Sequence, residues 1–281
     1  MNASPMRQGA VFVSGASSGL GRSIAELWLK NGYSVWGTAR QRERLVELAD
    51  NSNFHPVEMD LRDRAGMLEA FSTAERDAGG FSVVVNNAGF GIYGELSEIS
   101  AEVWSDQVTS MLTNLMVLIR DQVSALRVRR QAATLVNVSS LAVEFPMPYM
   151  SGYNVAKAGL SALSESLVLE LKATKIRVID FRPGDFRTQF NAAMSPDMDP
   201  VTSAHGGDDD LEQAWEVVQK NLAEAPSPEV AAQDLWTAVA HGRQGIVRTG
   251  GWFQARLAPI LQRLVPQGIA RTVRWRYFGI R

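Results

Sequence analysis

Tyr153 and Lys157 stand four residues apart in a segment rich in Ala, Leu, Ser and Glu, and Ser140 lies thirteen positions before the tyrosine. On a helix, an i,i+4 spacing turns both side chains to one face. A phenol then lies beside an ammonium, and a neighbouring positive charge favours the phenolate. An ordinary tyrosine loses its proton near pH ~10, which makes it a poor acid–base catalyst at neutral pH. Lowering that pKa by roughly two to three units takes about 3–4 kcal/mol of differential stabilisation. A lysine and further positive charge can supply it. The chemistry on offer is proton transfer to or from an oxygen. Alone, Tyr-x-x-x-Lys is equally an exposed helix pair, so its meaning depends on the elements that position it.

Those elements alternate. Ala10–Ser14, Tyr33–Thr38, Phe54–Met59, Ser82–Asn86, Thr134–Ser139 and Ile176–Phe181 are short runs with strand character, and Gly245–Val247 adds a late one. Between them run helical patterns over Gly19–Asn31, Ala101–Arg130, Ser151–Lys172 and Pro228–His241. The alternation predicts an α/β fold, a Rossmann-like doubly wound parallel sheet of about seven strands with helices on both faces. Any ligand then sits along the strand C-termini.

The 281 residues are 46% apolar and 21% charged, with a net charge of −2. That balance suits a soluble globular chain and offers no overall attraction for nucleic acid or acidic lipid. With no cysteine, disulfide and thiolate chemistry are excluded. The three histidines, His55, His205 and His241, are scattered, so no metal site is expected. The polar N-terminus lacks a signal-peptide core and no apolar run is long enough to span a bilayer, which reads as a cytoplasmic protein.

Residues 1–281 are read as one domain, with a lid over 188–228 containing a helix at Leu211–Ala223, and a basic amphipathic tail over 252–281. Long irregular insertions of the lid kind are usually binding loops.

Between the first strand and its helix stands Ser14-Gly15-Ala16-Ser17-Ser18-Gly19-Leu20-Gly21. Glycine permits the tight turn and lets backbone amides approach a pyrophosphate, and the helix N-terminus adds unpaired N–H groups. The second strand leads to Arg40, with no acidic residue to bind a ribose 2′-hydroxyl. Its guanidinium suits a 2′-phosphate, and Arg42 or Arg22 could assist, so NADP(H) is expected over NAD(H).

With these motifs in place the chain resembles a short-chain dehydrogenase/reductase over roughly residues 8–190. The loop matches that family's T-G-x-x-x-G-x-G, with Ser14 for the usual threonine. Asp60-Leu61 matches the adenine-contacting pair, and Asn86-Asn87-Ala88-Gly89 the N-N-A-G motif beside the cofactor. Asn114 falls where the family places its active-site asparagine. Asn137-Val138-Ser139-Ser140, the spacing from Ser140 to Tyr153, and Pro183-Gly184-Asp185-Phe186-Arg187-Thr188, which matches P-G-x-x-x-T, complete the set. The glycine spacing and chain length resemble the compact single-domain branch.

The resemblance implies reversible hydride transfer between a nicotinamide and a carbonyl or alcohol carbon, acting on CH–OH and C=O groups. Tyr153 is the implied acid/base and Ser140 the stabiliser of the same oxygen. Lys157 binds the nicotinamide ribose and, with the oxidised nicotinamide, lowers the tyrosine's pKa, and Asn114 holds a water that relays protons from Lys157. Ser139 competes with Ser140, but strand alternation separates neighbours and the spacing favours Ser140. Gly15, Ser17, Ser18, Gly19, Leu20, Gly21, Arg40, Asp60, Leu61, Asn87, Ala88, Gly89, Pro183, Gly184, Phe186 and Thr188, with Tyr153 and Lys157, form the implied cofactor site.

Phe90, Ser140, Val143, Phe145, Met147, Tyr149, Phe190 and Trp215, with Met194 and Met198, are the expected substrate surroundings. Their aromatic and flexible apolar character suits a bulky hydrophobic carbonyl compound or alcohol. The helical stretches Ala101–Arg130 and Ser151–Lys172 resemble the family's dimerising pair, implying a homodimer or homotetramer. The tail could cover the substrate mouth, pack on another subunit or lie on a membrane surface, the last being less favoured. A 3-oxoacyl-[acyl-carrier-protein] reductase, with Arg127, Arg129 and Arg130 meeting an acidic carrier, and a catalytically silent NADP(H)-binding sensor or scaffold are the alternatives.

Overall fold

The computed structural model describes residues 9–188 and 209–280. Seven parallel strands form one sheet: β1 (Ala10–Val13), β2 (Ser34–Ala39), β3 (Phe54–Glu58), β4 (Phe81–Asn86), β5 (Ala133–Val138), β6 (Ile176–Pro183) and β7 (Gly245–Thr249). Their order is β3-β2-β1-β4-β5-β6-β7. The doubly wound sheet predicted from the alternation is therefore present, and each strand lies within two residues of its expected span at either end.

Strand alternation divides the core in two. Val11 and Val13 of β1, with Val83, Val85, Ile179 and Phe181, face one layer. It is closed by α1 (Gly19–Lys30), the short α2 (Val46–Ala49) and α8 (Pro228–Ala240). Phe12, Val84, Leu135 and Val178 face the other layer, beneath α3 (Arg64–Asp77), α5 (Leu115–Arg129) and α6 (Ser151–Glu170). In the first layer Trp28 meets Trp236 edge-on at 5.0 Å. In the second, Phe12 meets Phe71 edge-on at 5.2 Å. Truncating so fully buried a phenylalanine costs about 3–5 kcal/mol, so Phe12→Ala is expected to threaten folding itself.

Chain order reverses at β1, which has β2 on one side and β4 on the other. The crevice at the C-terminal ends of these strands is where a doubly wound sheet receives its ligand.

The expected single helix over Ala101–Arg130 is instead α4 (Ala101–Val108), a π-helical turn at Thr109–Asn114, and α5. Thr109, Ser110, Thr113 and Asn114 are weak helix formers whose side chains compete for backbone hydrogen bonds. The extra residue in the turn re-aims the side chains that follow.

Of the expected lid, residues 189–208 lie outside the described residues, and α7 (Asp209–Glu224) covers the predicted helix. The tail forms a π-helical turn (Phe253–Leu257), α9 (Ala258–Leu264) and α10 (Gln267–Tyr277). Pro266 separates α9 from α10 because it lacks an N–H and pushes Val265 to an extended conformation. α10 is anchored on α7, where Asn221 Nδ2 donates to the Tyr277 hydroxyl at 2.7 Å. No helix among the described residues is long and apolar enough to cross a membrane.

Candidate active site

β1 delivers the chain into a turn in which Gly15 (φ +71°) and Gly19 (φ +52°) take left-handed backbone conformations. Side chains are strained there, and a Cβ on Gly15 would lie 3.0 Å from the Ala88 backbone. Ser14 explains why this position keeps a hydroxyl. Its buried Oγ accepts the backbone N–H of both Asn87 (2.9 Å) and Ala88 (3.0 Å). Asn87 returns the contact, donating Nδ2 to Ser14 O at 3.0 Å. The phosphate loop and the segment after β4 are thus one hydrogen-bonded unit.

These residues form one wall of a cavity of about 760 Å³. Gly15, Ser17, Ser18, Gly19, Leu20, Arg40, Asp60, Leu61, Asn87, Ala88, Gly89, Pro183, Gly184, Phe186 and Thr188 all line it. Gly21 does not. A Cβ on it would lie 2.1 Å from Gly15 O, so Gly21 is small because helix and loop touch. Arg22 is also unavailable, being paired with Glu26 at 2.8 Å and Glu47 at 2.6 Å. Arg44, rather than Arg42, joins Arg40 at the cavity wall. The glycine cradle, the exposed helix start and the two arginines suit a phosphorylated dinucleotide.

Ser140 leaves β5 at the same sheet edge, and Tyr153 enters from α6. The Tyr153 hydroxyl is hydrogen-bonded to Ser140, and Ser140 Oγ accepts the Ala142 N–H at 3.0 Å. Ser139 points elsewhere, donating to the buried Asp180 carboxylate. Asp180 also accepts from Ser161 (2.7 Å) and Arg182 (2.8 Å), and Arg182 and Arg248 both reach Glu144. This buried network ties β6 and β7 to the turn that follows Ser140.

Lys157 Nζ lies 5.7 Å from the Tyr153 ring centre and donates to Val138 O at 2.8 Å. Its burial pulls the ammonium down to about 8, against the opposing charge of Asp180. Burial likewise pushes the Tyr153 hydroxyl up to about 12; the Ser140 hydrogen bond lowers it and the negative charge of Asp185 raises it. The expected depression combines Lys157 with the positive charge of the oxidised nicotinamide, and burial of the phenol opposes it. Burial disfavours the charged phenolate, so lowering its pKa requires positive charge close to the hydroxyl.

Asn114 is also displaced from its expected role. It does not line the cavity: its Nδ2 donates to Leu61 O at 2.8 Å and its Oδ1 accepts from Arg64 Nε at 2.9 Å. In the π-helical turn it is Met111 that faces the site. Met111 packs with Tyr153, and a Cβ on Gly89 would lie 3.0 Å from Met111 Cε and 3.6 Å from Lys157 Nζ. Met111 Sδ accepts the Phe90 N–H at 3.4 Å, and Gln107, one turn earlier, donates to Phe90 O at 3.1 Å.

Phe90, Ser140, Phe145 and Met147 line the cavity as expected from the sequence. Val143, Tyr149 and Trp215 do not. Tyr149 and Trp215 instead pack on Tyr93, at 5.7 and 4.6 Å between ring centres, and Tyr93 donates to Leu211 O to hold α7 in place. Phe190, Met194 and Met198 lie outside the described residues. Sequence reasoning gave covering the substrate mouth as one reading of the tail, but it did not single out Asp185 or the far-wall residues: Val218 and Leu222 from α7, with Leu261, Val265, Val273, Tyr277 and Phe278 from the tail. The tail's amphipathic pattern was the available signal. No group of three His, Asp or Glu able to hold a metal occurs among the described residues.

The short chain dehydrogenase family model matches residues 9–199. The chain is 31% identical over 182 residues to oxidoreductase BOA17 of Botryotinia fuckeliana, an alignment covering 64% of this chain and 66% of that one. It thus spans just under two thirds of that relative's length. It is 29% identical over 177 residues to the NADP-dependent 3-hydroxy acid dehydrogenase YdfG of Escherichia coli, covering 62% and 71%. A short-chain dehydrogenase structure from Streptomyces avermitilis superposes with a TM-score of 0.77 at 26% identity, covering 97% of each chain. The chain belongs to the short-chain dehydrogenase/reductase family of NAD(P)-dependent oxidoreductases.

Proposed function

We propose that this protein is an NADPH-dependent reductase of a bulky, hydrophobic carbonyl compound, running the reverse oxidation of the alcohol on the same residues. The observation that carries the reading is the single cavity. One end is a glycine loop with two arginines, the middle holds the Ser140–Tyr153–Lys157 set, and the other end is apolar. When bound, the nicotinamide supplies or accepts the hydride.

The protein's residues do the rest. Tyr153 donates its proton to the developing alkoxide, and Ser140 hydrogen-bonds the same oxygen as its charge grows. Lys157, fixed by Val138 O, orients the nicotinamide ribose. Met111 and Gln107 hold the Phe90 backbone beside the reacting centre. Arg40 and Arg44, which have no ion-pair partner among the described residues, receive the 2′-phosphate.

The tail favours a free ketone over a carrier-bound thioester, since α9 and α10 wall the apolar end. Arg129, expected to meet an acidic carrier, is instead paired with Glu75 at 2.6 Å. Exposed Val103, Met116, Val155 and Leu169 on α4, α5 and α6 support a second copy of this chain as partner. NADPH oxidation, followed by absorbance against bulky ketones, aldehydes and acyl thioesters, is the test. Ketone turnover that depends on Tyr153 is expected. A response confined to carrier-linked thioesters, or no response with NADPH bound, would refute the reading.

A further inference from the structure

Asp185 is the residue of the Pro183–Gly184–Asp185 turn that no role above uses. It lines the cavity, where β6 ends and beside the catalytic tyrosine, close enough for its charge to act on both Tyr153 and Tyr277. One oxygen is held: Oδ2 accepts from Gln254 Nε2 at 2.7 Å. Gln254 belongs to the π-helical turn that starts the tail, and its Oε1 sits 3.0 Å from where a Cβ on Gly184 would be. One oxygen of the carboxylate is thus held by the start of the tail.

Its other oxygen, Oδ1, has no hydrogen-bond or ion-pair partner among the described residues. Burial raises the carboxyl's pKa, the sign of a charge incompletely compensated by its surroundings. The nearby walls contributed by α7 and the tail are chiefly apolar, with Val218, Leu222, Leu261 and Val273 among them. A lone, oriented acceptor in such a chamber fixes one polar group of a ligand, because leaving either partner unpaired on binding is costly.

We infer that Asp185 Oδ1 is a second recognition point of the substrate chamber, accepting a hydrogen bond from a hydroxyl or ammonium group that the substrate carries apart from its carbonyl. The inference rests on the reductase reading and narrows it. The substrate is a bulky apolar ketone with one hydrogen-bond-donating substituent, not a plain hydrocarbon ketone.

The test compares 2-decalone with its ring-hydroxylated and ring-aminated derivatives, each as a set of positional isomers, using the full-length protein, Asp185→Leu and Asp185→Asn. Two readouts are taken: kcat/KM from NADPH oxidation, and equilibrium affinity by calorimetry for the NADP+-loaded protein. In the wild type at least one donor-bearing isomer should exceed the parent ketone by about tenfold or more, the scale of a hydrogen bond to a charged group. In Asp185→Leu that ratio should fall close to one. Asp185→Asn separates the two donors: a hydroxyl preference survives in part, and an ammonium preference is lost. A role confined to holding Gln254 would lower thermal stability without changing the ratio. No preference in the wild type, or one that persists in Asp185→Leu, overturns the inference. If no ketone is reduced but the affinity ratio still collapses in Asp185→Leu, the recognition point stands and the reductase reading fails.

Discussion

The two ends of the cavity are built differently. The phosphate-binding end is made of neighbours in sequence and of backbone. Ser14 gathers two amides, Asn87 ties the loop to β4, and Gly15, Gly19 and Gly21 let chain segments touch. The apolar end is made of side chains from α7, α9 and α10, more than a hundred residues from the glycine loop in the sequence. Backbone geometry tolerates little substitution, whereas an apolar wall accepts many side chains of suitable volume. One end therefore keeps a shared dinucleotide and the other can diverge with the substrate.

The largest expected effect lies between the two ends. Tyr153→Phe removes the only proton donor assigned to the carbonyl oxygen, and turnover should fall by roughly 10²–10⁴-fold. Fluorescence titration should still detect NADPH binding, since the phosphate loop is untouched. Turnover at the wild-type rate would leave the catalytic assignment without an acid.

Arg40→Asp probes the phosphate end. Exchanging a cation for an anion should reverse the cofactor preference, by on the order of tenfold or more, since hydrogen bonds to charged groups are the strong ones. The ratio of kcat/KM for NADPH and NADH reads it, and an unchanged ratio would remove Arg40 from the site. Ser14→Ala asks whether the same end is also a stability element. Two half-buried amides lose their buried acceptor, at about 1 kcal/mol or more, so the melting temperature and NADPH affinity should drop together.

At the apolar end, truncation after Val265 removes α10 and with it Val273, Tyr277 and Phe278 from the wall. KM for bulky ketones should rise several-fold while NADPH affinity holds. A change in NADPH affinity of similar size would mean the two ends are not separable. The smallest effect concerns pH. The Asp185 charge raises the Tyr153 pKa, so Asp185→Asn lowers it and increases the phenolate fraction at a given pH. The rising limb of the pH profile for alcohol oxidation should then move to lower pH, and a shift to higher pH would contradict the electrostatic assignment.

Where sequence reasoning erred, direction was the missing quantity. Asn114 sits in the anticipated segment, but a π-helical turn aims it at Leu61 and Arg64 and turns Met111 toward Lys157. A pattern of residue types does not reveal one extra residue in a helical turn. Tyr149 and Trp215 were sought at the cavity for their apolar character, yet the same character serves to clamp α7 on Tyr93. The joint effect of Lys157 and the oxidised nicotinamide on Tyr153 was read from charge, and burial of the phenol, which spacing does not reveal, opposes it.

The order of strands and helices, the glycine loop, and the Ser140–Tyr153–Lys157 spacing were all legible in the residues. Each is a short-range property, set by side-chain periodicity or by backbone conformations that only certain residues adopt. Which side chains converge on the apolar end, that Asp185 keeps one oxygen without a partner among the described residues, and the direction in which burial shifts the ionisable groups of the site were decided only by the tertiary structure. These depend on which distant segments meet and on the water they exclude, and neither is encoded in local sequence spacing.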